Sequence, residues 1–454
     1  KLRFGAVDIN GLYFNMITYK EETQSNLDVF IESFNSDNPK QDNSSFSLTS
    51  SELHIDKSRF HLKDFNKQNS DVLMFDNLNL NATNFIIIDS DITTRLNHMS
   101  FNDPRGIKLK AFKTNFTYSD DLMSFNDLFL ETKSSTLEGD LYFKYKDHKL
   151  SNFSNNVNIE AQIRSSSIKL NEVNLLYDEF GSNEKVNLAF RFNGTLNDFI
   201  ISGLRMSSSV NTKVDGDLNL KNLFNDEEFS LSGKFKRLTT NYKGLSRLMP
   251  NILGRSLPNL LSKLGDFNLR GDAKITKNAL EVIDMTDTTL GSIESNILMN
   301  HLNDNFETSY KGDVSIENFN LGEFIENPIF DKATMDLTLD GEGFSLETIQ
   351  TKIKGEIDLL GFNNYTYNSI SLNGELGNNI FNGEIDVNDD NLEMAFVGLA
   401  DFSDREKVFD FKAIVVDSDL KILNFTNKDE ISNFNGEVLM NFRGSNLDNS
   451  VGEI

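Results

Sequence analysis

Residues 136–145, TLEGDLYFKY, alternate strictly between apolar and polar positions. Leu137, Gly139, Leu141, Phe143 and Tyr145 share one face of an extended segment, and Glu138, Asp140, Tyr142 and Lys144 share the other. A period of two is the signature of a half-buried β-strand. The same period runs through 46–62, 72–89, 107–119 and 125–145, and short Asn, Asp, Ser and Gly clusters between these runs supply turn chemistry. Only five prolines occur, at 39, 104, 250, 258 and 328, all outside the alternating runs, as a hydrogen-bonded ladder requires.

One phrase recurs: apolar–x–Gly–x–apolar–x–apolar. It centres on Gly139, Gly216, Gly233, Gly312, Gly355, Gly374, Gly383 and Gly436, each time with the glycine on the apolar face. Glycine inside a strand marks a bend, a bulge or the close approach of another group. Two meanings stay open: a sharp bend of the strand, or room for a guest chain. A second phrase, apolar–x–apolar–x–x–Ser/Thr, occurs as LFLETKSSTL and LRMSSSV. Longer similarities around Gly194, Gly271, Gly341 and Gly444 recur at spacings of 77, 70 and 103 residues, too irregular for a tight solenoid coil. Helical spacing appears mainly at 241–264, a short helical insertion that Pro250 and Pro258 are expected to split in two, each near a first turn. Weaker helix signals follow strands at 169–181, 316–328 and 416–430.

Such a pattern predicts an all-β chain of roughly 25 to 35 strands, each adding about 4.8 Å to a sheet. Sheets of that strand number curl, split or coil, so the apolar face lines either an open trough or the interior of a sealed sandwich. Alternation alone is compatible with both. No linker divides the chain, and 1–454 reads as one continuous repeat-built segment of a longer protein.

Composition narrows the chemistry. The 454 residues carry a formal charge of −25, which opposes nucleic acid as a partner. Cysteine is absent, excluding disulfides, thiolate metal sites and thiol catalysis. The five histidines (54, 61, 98, 148 and 301) form no metal-ligating spacing, and no nucleophile elbow, phosphate loop or dinucleotide fingerprint is present. DVNDDNLEMAFV, 386–397, opens like a calcium loop. It has Asn391 where the turn needs Gly and Val397 where the bidentate Glu belongs, so it reads as a hairpin turn. No enzyme, metal or cofactor is expected. No run approaches 18 apolar residues, so no membrane-spanning helix is predicted.

The segments NGTLNDFIISGLRMSSSVNTKVDGDLNLKNL (193–223), SYKGDVSIENFNLGEF (309–324) and LFLETKSSTLEGDLYFKY (128–145) resemble repeats of the TamB family, within the AsmA-like group. The Asn and Phe richness is similar to versions from Bacteroidota. The likeness runs through most of the chain and is one of pattern; the family's amino-terminal anchor and carboxy-terminal conserved domain are not among these residues. The resemblance implies an elongated, curled antiparallel sheet forming a long U-shaped groove, a β-taco with few helices. It also implies a periplasmic protein tethered at the inner membrane, an outer-membrane barrel partner of the Omp85 class, and phospholipid acyl chains carried in the groove. The family is tied as well to outer-membrane protein assembly.

Residues expected to line such a groove are Leu141, Phe143, Leu218, Leu220, Phe235, Phe267, Leu269, Val314, Ile316, Ile357, Leu359, Ile385, Val387, Val438, Met440 and Phe442. Each is equally compatible with an ordinary core position; their repetition is what suggests a groove. The competing readings are a scaffold or chaperone that binds outer-membrane strands by edge pairing, and an adhesin with a sealed core.

Overall fold

The computed structural model describes residues 1–27, 29, 46–67, 71–146, 152–176, 180–225, 227–251, 254, 259–301, 308–343, 348–401, 407–427, 432–444 and 451–453. The chain is all-β, mostly antiparallel, with a few short helices. Its contacts divide it into two compact units, Lys1–Val210 with Asn219–Phe224, and Asn211–Leu218 with Asn225–Ile454.

The first unit holds β1 (Leu2–Asn10), β2 (Tyr13–Thr18), β3 (Ser47–Asp64), β4 (Asp71–Ile88), β5 (Asp91–Asn102), β6 (Lys108–Tyr118), β7 (Leu122–Glu131), β8 (Thr136–Lys144), β9 (Asn158–Lys169), β10 (Lys185–Gly194) and β11 (Phe199–Ser208). β1 and β2 lie end to end along β3 and pair with it in parallel. From β3 to β11 every strand pairs antiparallel with the next. Rings stack along one face, Phe14–Phe60 at 5.7 Å, Phe60–Phe75 at 5.6 Å and Phe75–Phe101 at 3.8 Å. A one-turn helix, α1 (Phe153–Asn156), brings Phe153 edge-on against Phe143 at 5.4 Å. There Tyr145, Val157 and Ile159 are buried together. A second one-turn helix, α2 (Leu170–Val173), follows β9.

β12 (Lys213–Lys221) is divided between the units. The second unit continues with β13 (Ser230–Asn241), β14 (Asp266–Thr276), β15 (Ala279–Thr288), β16 (Ser292–Asn300), β17 (Ser309–Asn320), β18 (Phe330–Glu342), β19 (Gln350–Phe362), β20 (Tyr365–Gly377), β21 (Ile380–Asp389), β22 (Leu392–Asp401), β23 (Lys407–Ser418), β24 (Gly436–Gly444) and β25 (Val451–Glu453). Each pairs antiparallel with its successor. Among the described pairings β13 and β25 do not meet, so this sheet is unclosed.

Turn chemistry explains the short connections. Asn363–Asn364 and Asn378–Asn379 join β19 to β20 and β20 to β21 with φ of 51° and 59°, and 52° and 62°. These are the paired positive values of tight hairpin turns, which asparagine tolerates better than most residues. The 241–264 region contains α3 (Tyr242–Leu248), capped by the Asn241 side chain accepting from the Gly244 N–H, and a 3₁₀ turn at Asn259–Leu264. Pro250 lies two residues beyond the end of α3, as a helix-terminating proline should; Gly254 is helical, and most of the segment from 252 to Pro258 lies outside the described residues. α4 (Leu321–Ile325) follows β17. The signal at 416–430 yields turns, with no helix among its described residues.

Candidate apolar inner face

Hydrogen-bond register shows which side chains of the second unit stand in line. One row crosses twelve successive strands, β13 to β24: Gly233, Ala273, Val282, Ile297, Gly312, Leu339, Ile353, Gly374, Gly383, Gly398, Phe411 and Met440. Every member is glycine or apolar, and all but Gly233 are partly exposed. A parallel row on the same face reads Phe235, Gly271, Asp284, Ser295, Val314, Leu337, Gly355, Leu372, Ile385, Phe396, Ala413 and Val438. Beyond it lie Leu269, Thr286, Ile293, Ile316, Met335, Ile357, Ile370, Val387, Met394 and Val415. On the other side, Met299, Tyr310, Gly341, Thr351, Leu376, Phe381, Ala400, Phe409 and Phe442 form a fourth row. Twelve strands at about 4.8 Å spacing make this surface roughly 50 Å long, and four rows make it roughly 20 Å wide.

The glycines answer the question that the sequence left open. A Cβ on Gly312 would stand 1.9 Å from the Asn296 carbonyl oxygen, and one on Gly355 2.0 Å from that of Asp336. Gly139, in the first unit, would meet the Gln162 oxygen at 2.4 Å. The adjacent strand's backbone fills the place a side chain would take, as in a sheet bent sharply toward its inner face. At these three positions the neighbouring strand, not a guest, takes the space, whereas a Cβ on Gly436 would meet only the Phe434 ring, at 3.5 Å.

The face is not uniformly open. Where β13, β15, β17, β19, β21 and β23 end, α3, the 3₁₀ turn, α4 and the turn holding Leu423 cover it. Leu423 is 0% exposed, and Phe267, Ile316, Phe319, Met335, Ile357, Ile370 and Val387 are buried with it. Of the expected lining residues, Phe267, Ile316, Ile357 and Val387 therefore belong to this dry end. Leu269, Val314 and Ile385 pack against it half-buried. Phe235, Val438, Met440 and Phe442 are half-buried members of the inner rows. Leu141 and Phe143 pack beside Tyr145 and Val157 in the first unit, and Leu218 and Leu220 are half-buried on β12. Leu359 points the other way. The β18–β19 register shifts between Thr334 and Met335, so that Leu360 and Phe362 pack inward while Leu359 is 43% exposed on the outer side.

Sequence reasoning missed one group. In β15, Ile283 and Met285 taken alone would mark the inner face, although Leu280 and Val282 lie on the opposite one. The register does the reverse: Ile283 and Met285 are 50% and 51% exposed, while Asp284 and Thr286 face inward beside Ser295. The Thr286 and Ser295 hydroxyls each donate to a different Asp284 carboxylate oxygen. Asp284 is 8% exposed, and burial holds its carboxyl above the usual range against the opposing pull of those two hydrogen bonds.

Among the described residues no group of three His, Asp or Glu could hold a metal ion. The 386–397 segment is the β21–β22 hairpin, in which Asp389 accepts from the Tyr365 hydroxyl and the Asn368 N–H. No described helix is long and apolar enough to cross a membrane. No family model, curated protein or solved structure matches this chain.

Proposed function

We propose that the second unit carries phospholipid acyl chains along its inner face, as part of a bridge-like, TamB-like protein of the bacterial periplasm. The observation that carries this reading is the central row: twelve strands, every position glycine or apolar, and eleven of them left partly exposed rather than buried. A sealed core would bury such a row. Apolar surface left this way across roughly 50 Å is a surface waiting for an apolar occupant. Taking a two-chain lipid through water exposes tens of CH₂ groups at about 0.8 kcal/mol each. A floor without a deep pocket removes much of that cost at every point along its length and holds the lipid tightly at none. In this reading the partners are an inner-membrane anchor region and an outer-membrane Omp85-class barrel, and the chain performs no covalent chemistry.

The test places a photo-crosslinking amino acid at Ile385 or Met440, facing in, and at Glu384 or Asn441, facing out, in cells. Phospholipid adducts at the first pair and not the second are expected. Adducts at the outward pair alone would overturn the reading, and crosslinks to unfolded outer-membrane proteins without lipid would replace it with a chaperone role.

A further inference from the structure

Across the four inner rows of the second unit, Asp284 is the one acidic or basic side chain. It occupies a central row, between Gly271 on β14 and Ser295 on β16. Its placement costs the chain two large apolar side chains, Ile283 and Met285, left half-exposed outside. A local rule broken without structural gain points to a use.

We propose that Asp284 couples acyl-chain occupancy of the β14–β16 floor to uptake of one proton. This rests on the lipid-carrying reading above. Among the described residues no charged partner pairs with the carboxyl. Leu269, Gly271 and Ala273 surround it from β14, Ile293, Ser295 and Ile297 from β16, and Val282 and Thr286 from its own strand. The nearby charge that acts on it is Glu294, which is acidic and disfavours ionisation further. Its two hydroxyl partners can donate to the carboxylate or accept from the acid, so either state keeps its hydrogen bonds. A hydrocarbon chain laid over this position removes the remaining water. That penalises the ionised form far more than the neutral one. Lipid therefore binds the protonated floor better, and by linkage its binding draws a proton onto Asp284.

The probe is phosphatidylcholine bearing a fluorophore on one acyl chain, titrated into the purified chain between about pH 4 and about pH 8, where this headgroup keeps its zwitterionic charge. Wild-type affinity should fall with rising pH, by at most about tenfold per pH unit for a single linked proton. Asp284→Asn should flatten the profile and bind more tightly than wild type at the alkaline end. Ser295→Ala, a milder change, removes a bond that favours the ionised form and should move the fall to higher pH. Asp272→Asn, on the outer face of β14, should behave as wild type. Lipid binding with the same pH profile in wild type, Asp284→Asn and Ser295→Ala overturns the coupling and leaves the lipid-carrying reading intact. Absence of lipid binding at every pH in all four proteins overturns both.

Discussion

Gly139→Ala offers the sharpest test of the claim that inner-face glycines are demanded by curvature. The added Cβ would lie 2.4 Å from the Gln162 carbonyl oxygen and 3.1 Å from the Ile163 Cα and Cδ1. Carbon–oxygen contacts between adjacent strands ordinarily settle near 3.3–3.6 Å, so β8 and β9 must part by about 1 Å. That disturbs one or two ladder hydrogen bonds, each worth about 0.5–1.5 kcal/mol net. It adds about 1–3 kcal/mol of overpacking. The expected loss is about 1.5–6 kcal/mol. Gly5→Ala is the control within the same unit, because a Cβ there meets nothing within 4 Å. It should leave stability unchanged or raise it by about 0.4–1 kcal/mol through the unfolded chain. Urea midpoints of the two variants, followed by a signal from the first unit, give the comparison. Equal midpoints would refute the curvature argument, because the two substitutions differ only in what surrounds the new methyl group.

Three further outcomes follow from the second unit. Leu360→Asp should unfold or severely destabilise it, whereas Leu359→Asp should be tolerated; circular dichroism melts give the comparison, and equal losses in the two variants would contradict the inversion of faces at the β18–β19 register shift. Leu423→Ala should cost about 2–5 kcal/mol, read as a lower urea midpoint, since it empties a fully buried position at the covered end of the sheet. Asp284 holds its proton more firmly folded than unfolded. Its effect on stability therefore worsens as pH rises from the ordinary carboxylate range through the folded-state value, and Asp284→Asn should remove that part of the pH slope. An unchanged slope in urea titrations at several pH values would contradict the burial argument.

The alternation of TLEGDLYFKY was enough to read a strand and its faces, because an unbulged strand keeps its period whatever it packs against. Glycine position was legible too, but its meaning required the neighbouring strand: only the Asn296 and Asp336 carbonyls distinguish a bend from a vacancy. Asparagine carried more than the sequence reading credited to it. Of the eighteen non-glycine residues with positive φ among the described residues, eleven are asparagine, in hairpin turns and inside bulged strands such as at Asn77, Asn84 and Asn318. Those bulges are where face assignment failed. Each extra residue inverts the side-chain alternation beyond it, and nothing local in DLLGF announces that Leu359 has turned outward. β15 was not readable for another reason: apolar residues stand on both of its faces, Leu280 and Val282 inside and Ile283 and Met285 outside, so that only the register decides.

The inward placement of Asp284 bears on how a conduit of this kind is controlled. A floor that is apolar everywhere gives an acyl chain equal comfort at every strand and so provides nothing on which conditions can act. One buried carboxyl changes this without a moving part. Its neutral form completes the apolar surface and its ionised form interrupts it, both within an unchanged backbone. Such a control predicts a local signature. Crosslinked lipid should thin with rising pH at Ile297, beside Ser295, and persist at Phe411, which stands seven strands farther along the same central row. Uniform thinning at both positions would assign the pH response to the fold as a whole and not to Asp284.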